Sequence, residues 1–151
     1  MKRPPAVYVL IALHLFLGVC GIAGGALLMI RPDGYLLGME EGWLAHAPFS
    51  DYFIPGILLF CCNGLLPFLV LFGLTRKRKR RAIFNIYRNR HWGWTFSLYS
   101  GIITIGWIII QQMMTQYFWI QPLIAGIGLL IIIFTMMPGL MRYFEIDAGN
   151  Q

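Results

Sequence analysis

The run PAVYVLIALHLFLGVCGIAGGALLMI, residues Pro5 to Ile30, contains no Asp, Glu, Lys or Arg. A helix that crosses a bilayer needs about 20 consecutive, mostly apolar residues, and this run exceeds that length. Its flank, MKRPP, could also open a secretory signal peptide cut near AGGA. The apolar residues continue beyond that point through LLMI, longer than a signal core, so a retained first transmembrane helix is the better reading.

Three further runs match it, at approximately residues 53–74, 92–114 and 118–141, again with no charged residue inside. The whole chain of 151 residues is 58% hydrophobic and only 12% charged, whereas a soluble domain carries roughly 25% charged residues. The strands of a membrane barrel would be short and alternate apolar with polar, unlike these long continuous runs. The sequence therefore predicts an all-α membrane protein. Residues 1–151 form a single domain folded as a four-transmembrane-helix bundle.

The basic residues set the expected orientation, because short loops rich in Lys and Arg stay cytoplasmic. All but Arg31 of the twelve Lys and Arg fall before the first run, in the loop 75–91, or after the fourth run. An N-in/C-in topology follows, with the loop 31–52 outside and the basic loop 75–91 in the cytoplasm. The cluster Arg76, Lys77, Arg78, Lys79, Arg80 and Arg81 is a candidate contact for anionic lipid headgroups, worth about 1 kcal/mol per basic residue. Its juxtamembrane position makes the excess of +6 charges a membrane feature, with no nucleic-acid partner implied.

Within each run, small or weakly polar residues share one helical face. His14, Gly18, Gly21 and Gly25 do so on the first, and Gly56, Phe60, Asn63 and Pro67 on the second. Ser97, Gly101, Thr104, Ile108 and Gln111 follow on the third, and Gln121, Ala125, Gly128, Ile132, Thr135 and Gly139 on the fourth. Such faces let helices approach closely in lipid, so these stripes are expected to point inward. Pro55, Pro67, Pro122 and Pro138 are expected to kink or loosen the second and fourth helices.

Chemistry is sparse. No Asp, Glu, Lys or Arg lies inside a span, where such groups mark proton relays and ion-coupled transport. The intramembrane polar candidates are His14 and Asn63, each read first as a hydrogen-bonded packing residue. Cys20, Cys61 and Cys62 lack the spacing of a thiol oxidoreductase. His14, His46 and His91 fall at different depths, so no metal site is expected. No cofactor motif or catalytic signature is present.

The polar residues concentrate at the outer end. Trp107, Gln111 and Gln112 finish the third run, Gln121 starts the fourth, and the loop adds Asp33, Glu40, Trp43, Asp51 and Tyr52. These nine are the ligand-binding candidates, weighed against an ordinary interfacial aromatic belt. Within the loop, Tyr35, Leu36, Leu37, Met39, Trp43 and Leu44 lie between the turn signals PDG and APFSD and predict a short interfacial helix.

The segments GGALLMIRPDGYLLGM, PFSDYFIPG and WIIIQ together resemble a group of small bacterial four-helix integral membrane proteins, over nearly the whole chain. Members of that group commonly place Asp-Pro before the loop glycine, where this chain has Arg31, Pro32, Asp33, Gly34. The resemblance implies a bacterial inner-membrane location and carries no activity or catalytic residue. The expected function is non-enzymatic: binding of a ligand or lipid beneath the loop 31–56, or assembly as a homo-oligomer or with membrane partner subunits. A small oligomeric transporter or channel is the alternative.

Overall fold

The computed structural model describes residues 3–39, 41–44, 47–76, 84–87 and 89–146, and shows only helices and turns among them apart from one isolated bridge between Arg90 and Glu145. Helix α1 covers Pro5–Ile30. It opens with proline at its first position, where the missing N–H would have had no helical partner. It stops at Arg31, which turns extended because Pro32 follows.

The loop after α1 corrects the expectation of one interfacial helix. It holds two short 3₁₀ turns, Tyr35–Leu37 and Glu41–Leu44. Glycine is the cause: Gly34 and Gly38 sit at φ of 78° and 65°, a left-handed conformation that costs glycine little and ends a helix after one turn. Asp33 Oδ1 accepts the Tyr35 N–H at 3.0 Å, and Tyr52 N donates to Pro32 O at 2.9 Å. The loop's two ends are thereby tied together, and Met39, Leu44 and Tyr52 pack with Leu28 of α1.

The second helix runs continuously over Phe53–Thr75. It divides into α2 (Phe53–Leu58), a π-helical segment (Leu59–Leu65) and α3 (Leu66–Thr75). Pro67 explains the widened segment. It cannot return a hydrogen bond to the Asn63 carbonyl, and in a regular helix its ring would strike that carbonyl. Such π segments inside helices occur frequently at functional sites.

Helix α4 spans Trp92–Met114, and His91 caps it by accepting the Gly93 N–H through Nδ1 at 3.1 Å. The fourth apolar run is not the single span 118–141 expected. It forms α5 (Ile120–Thr135) and α6 (Pro138–Tyr143), because Pro138 forces Met137 out of the helical region to φ −59°, ψ 133°. At about 1.5 Å per residue, the 16 residues of α5 reach about 24 Å, short of a hydrocarbon core of about 30 Å. Three helices are long and apolar enough to cross a membrane: Pro5–Ile30, Phe53–Thr75 and Trp92–Met113.

Helix α1 packs along α2, the π segment and α3; α3 packs on α4, α4 on α5, and α5 returns to α1. The small-residue stripes mediate these approaches. A Cβ on Gly25 would meet the Gly56 carbonyl at 2.7 Å, and one on Gly73 would meet the Gly93 Cα at 2.8 Å. Glycine thus sets the interhelical distance. Two members of the expected inward stripes lie elsewhere. Gly139 is exposed, because α6 starts a new direction after the break, and Gln111 lines a cavity.

At the other end, the segment before α4 is tied to it by side chains. Thr95 Oγ1 donates to Asn85 Oδ1, while Asn85 Nδ2 donates to Arg90 O at 2.9 Å. Phe84 and Ile86 stay exposed at 74% and 78%, as an interfacial segment would leave them.

Candidate ligand cavity

Helices α3 and α4 touch backbone to backbone at Gly73 and Gly93. Further along, a side-chain hydrogen bond from Thr104 Oγ1 to Asn63 Oδ1, 2.7 Å, still joins the π segment to α4. Beyond Asn63 the two helices part, and α2 makes at most marginal contact with α4. The diverging ends leave a cavity of about 510 Å³ beneath the 31–52 loop. That is within the range of small-molecule sites, roughly 300–1,000 Å³.

One wall is α4, with Ile102, Ile103, Gly106, Trp107, Ile110 and Gln111. Pro55, Leu58, Leu59 and Cys62 form the opposite wall, and Leu28, Met39, Leu44, Ala47, Phe49 and Tyr52 form the roof and end. Among the described residues, no Asp, Glu, Lys or Arg lines it. Ile102 and Ile110 are 53% and 51% exposed, so the α4 wall is open along its edge.

Tyr52, Trp107, Gln111 and Thr115, with the Cys62 thiol, are the lining residues that carry polar groups. The Trp107 indole N–H is buried, closed off from the cavity's open space and without a hydrogen-bond partner among the described residues, while Gln111 is half-buried at the cavity's end. The Thr115 hydroxyl donates to the Gln111 main-chain carbonyl at 2.8 Å. Burial pushes the Tyr52 phenol above its ordinary value of 10, so it stays protonated and neutral at physiological pH.

Of the nine ligand candidates, Tyr52, Trp107 and Gln111 line this cavity. Trp43 is half-buried and packs against Phe118 with ring centroids 6.0 Å apart, tying the loop to the start of α5. Asp33 is exposed and paired with Arg31 at 2.7 Å, which holds its carboxyl below the usual carboxylate range. Asp51 is exposed and accepts the Phe53 N–H at 2.9 Å, shaping the turn into α2. Gln112 points to the exterior. Gln121 is fully buried; its Oε1 accepts the Phe118 N–H at 3.2 Å and its Nε2 donates to Thr115 Oγ1 at 3.4 Å, closing the α4–α5 turn.

Glu40 and the headgroup candidates Lys77, Arg78, Lys79, Arg80 and Arg81 lie outside the described residues, as does His46. Arg76 stacks over the Phe72 ring at 4.9 Å. Sequence reasoning favoured polar side chains and so passed over the apolar members of the site. The available signal was Gly106, a lone small residue beside the bulky Ile102, Ile103 and Ile110.

The intramembrane candidates serve helix contacts. His14 Nε2 meets Ser97 Oγ at 2.9 Å, Ser97 Oγ meets Thr135 Oγ1 at 2.8 Å, and Trp94 Nε1 donates to Thr135 O at 2.7 Å. All four residues are buried. The three cysteines are free thiols, and among the described residues no group of three or more His, Cys, Asp or Glu is placed to hold a metal ion.

By fold and composition the chain belongs to the helical integral membrane proteins. Comparison with protein-family models, curated proteins and solved structures returned no match, so the cavity itself carries the functional argument.

Proposed function

We propose that this is a non-enzymatic, multi-pass membrane protein that holds a lipid or other apolar-chain ligand in the cavity beneath the 31–52 loop. The observation that carries this reading is the site's combination of size, apolar walls and an open edge on the span α4. A ligand dissolved in the bilayer would enter through that edge without crossing water. The loop, tied at Pro32 and Tyr52, closes the end.

In this proposal α5 and α6 together make the fourth crossing of a four-transmembrane-helix bundle. Both termini and the basic loop 75–91 face the cytoplasm of a bacterial inner membrane, as the distribution of Lys and Arg supports. Anionic headgroups would meet that loop, and a homo-oligomer or partner subunit would use the exposed apolar faces. A transporter or channel receives less support, because the mid-span polar groups His14, Asn63, Ser97, Thr104 and Thr135 are at most 1% exposed and hydrogen-bonded among themselves.

Gly106 provides the test. It lines the cavity, and a Cβ there meets nothing within 4 Å. Gly106→Leu should fill the space with little strain. Native mass spectrometry from mild detergent should then show co-purified lipid on the wild-type chain and its loss from the variant. Equal retention on an equally stable variant would refute the cavity as the binding place.

A further inference from the structure

We propose that the cavity holds the acyl chain of a lipid from the leaflet on the side of the 31–52 loop, with the chain's polar end under the loop and its terminal methyl at mid-span. This inference rests on the ligand-cavity reading above and specifies the ligand's class, its direction and the leaflet that supplies it.

The first argument is depth. On α4 the lining runs from Thr115, just past the helix end, to Ile102, a drop of about 20 Å at about 1.5 Å per residue. On the facing helix it runs from Pro55 to Cys62, about 10 Å by the same rise. A single leaflet contributes about 15 Å, half of a hydrocarbon core of about 30 Å, so the cavity is one leaflet deep.

The second argument is the floor. Asn63, next to Cys62, accepts the hydrogen bond of the Thr104 hydroxyl at 2.7 Å, and Thr104 is next to Ile103. From there α3 packs on α4 down to the contact of Gly73 with Gly93, and among the described residues none of α3 lines the cavity. A chain entering from the loop end therefore stops at mid-span, and the helix contacts below bar it from the other leaflet.

The third argument is the gradient of polarity. Tyr52, Gln111 and Thr115 lie at the loop end, Tyr52 just before α2 and the other two where α4 finishes. The deep end consists of Leu58, Leu59, Ile102, Ile103 and Gly106, with the Cys62 thiol, which behaves as a small hydrophobe. Water finds too few partners among such walls, whereas a hydrocarbon chain supplies the dispersion contacts they lack. The chain has no water to cross, because Ile102 and Ile110 on the open edge are 53% and 51% exposed on a helix long enough to span a membrane. A polar end at the loop with a chain running inward is also the direction of every lipid in that leaflet.

The experiment reconstitutes the full-length chain in phosphatidylcholine vesicles with traces of two photoactivatable phosphatidylcholines, one with a diazirine at the acyl terminus and one with it near the ester. After irradiation, labelled residues are mapped by mass spectrometry. The terminal probe should label the half-buried Leu59 and Cys62, and the near-ester probe Gln111 and Thr115. Gly106→Leu, whose Cβ meets nothing within 4 Å, should lose the Cys62 label while the exposed Leu130 on α5 keeps its own. Labelling of Cys62 by both probes alike, or in the reverse order, would overturn the direction of the chain and leave the cavity reading intact. Faster exchange of a fluorescent lipid between the leaflets of these vesicles than in protein-free ones would overturn the confinement to one leaflet. A Cys62 label that persists in an equally stable Gly106→Leu variant would overturn both this inference and the cavity reading.

Discussion

Gly21 of α1 lies directly against the main-chain carbonyl of Asn63 in the π segment, with no room for a Cβ between them. That carbonyl is the one Pro67 releases from the helical ladder. The proline widens the second helix, the widened turn presents its backbone to α1, and glycine lets α1 meet it. On its other side, the Asn63 side chain accepts a hydrogen bond from Thr104 of α4. A single residue thus joins three helices, just below the point where α2 and α4 separate around the cavity.

The first prediction concerns that contact. Gly21→Ala should destabilise the protein by about 1–3 kcal/mol, the usual cost of overpacking. Gly126→Ala in α5, whose Cβ would meet nothing within 4 Å, should be neutral or slightly stabilising because alanine is the better helix former. Unfolding of both variants in detergent mixtures gives the comparison, and equal stability would remove Gly21 from its place as the spacer of α1.

Much of this packing could be read from sequence, because glycine spacing is a local pattern with a direct geometric consequence. His14, Gly18, Gly21 and Gly25 are all buried, as their shared face requires. The break at Pro138 was less legible. Proline is tolerated in membrane helices, and only the packing of Leu140 and Phe144 after the break, each at most 2% exposed, shows that the chain gains by turning. The cavity was the least legible part. Its walls are ordinary Ile and Leu, and it exists because two helices diverge, which no residue announces. Hence Tyr52, Trp107 and Gln111 could be picked out as polar landmarks, while Asp33 and Asp51 were drawn in by chemistry that the loop uses for its own turns.

Ser97 sits between His14 and Thr135, so Ser97→Ala should leave the His14 ring with no hydrogen bond to any described residue at either nitrogen, since its Nδ1 already has no partner among them. The expected cost is about 1–2 kcal/mol. His14→Leu combined with Ser97→Ala should recover part of that loss, because replacing both partners with apolar groups removes the stranded polar atoms. A double-mutant cycle measured by unfolding in detergent tests this directly. Strict additivity of the two changes would show that the contact contributes nothing to stability.

Arg90 anchors the opposite end. Its guanidinium stacks over the Trp94 ring at 4.8 Å and donates through Nη1 to the Met141 carbonyl in α6 at 2.6 Å. Arg90→Lys keeps the charge but loses the planar group that does both, so α6 should loosen. Hydrogen exchange is expected to rise at Leu140 to Tyr143 by about tenfold, matching the loss of one charge-assisted bond. Unchanged exchange across α6 would place its anchoring in Leu140 and Phe144 alone.

The final prediction concerns the loop that closes the cavity. Asp33 accepts a hydrogen bond from Arg31 and another from the Tyr35 N–H, and the Arg31 side-chain bond is the main cause holding its carboxyl below the ordinary value of 3.8. A depressed folded-state value means that the carboxylate's stabilisation is fully present above the unfolded value and disappears as pH falls through the folded one. The loop should therefore be insensitive to pH near neutrality and loosen only in acid below about pH 3.8. Because both partners are exposed, salt should screen the Arg31 contribution and spare the Tyr35 hydrogen bond. Asp33→Asn, which keeps an acceptor for Tyr35, should behave like wild type in high salt, whereas Asp33→Ala should open the loop in any salt. Limited proteolysis between Gly34 and Tyr52 reads all three effects, and an Asp33→Ala loop as resistant as wild type would show that the glycine conformations alone hold the turn.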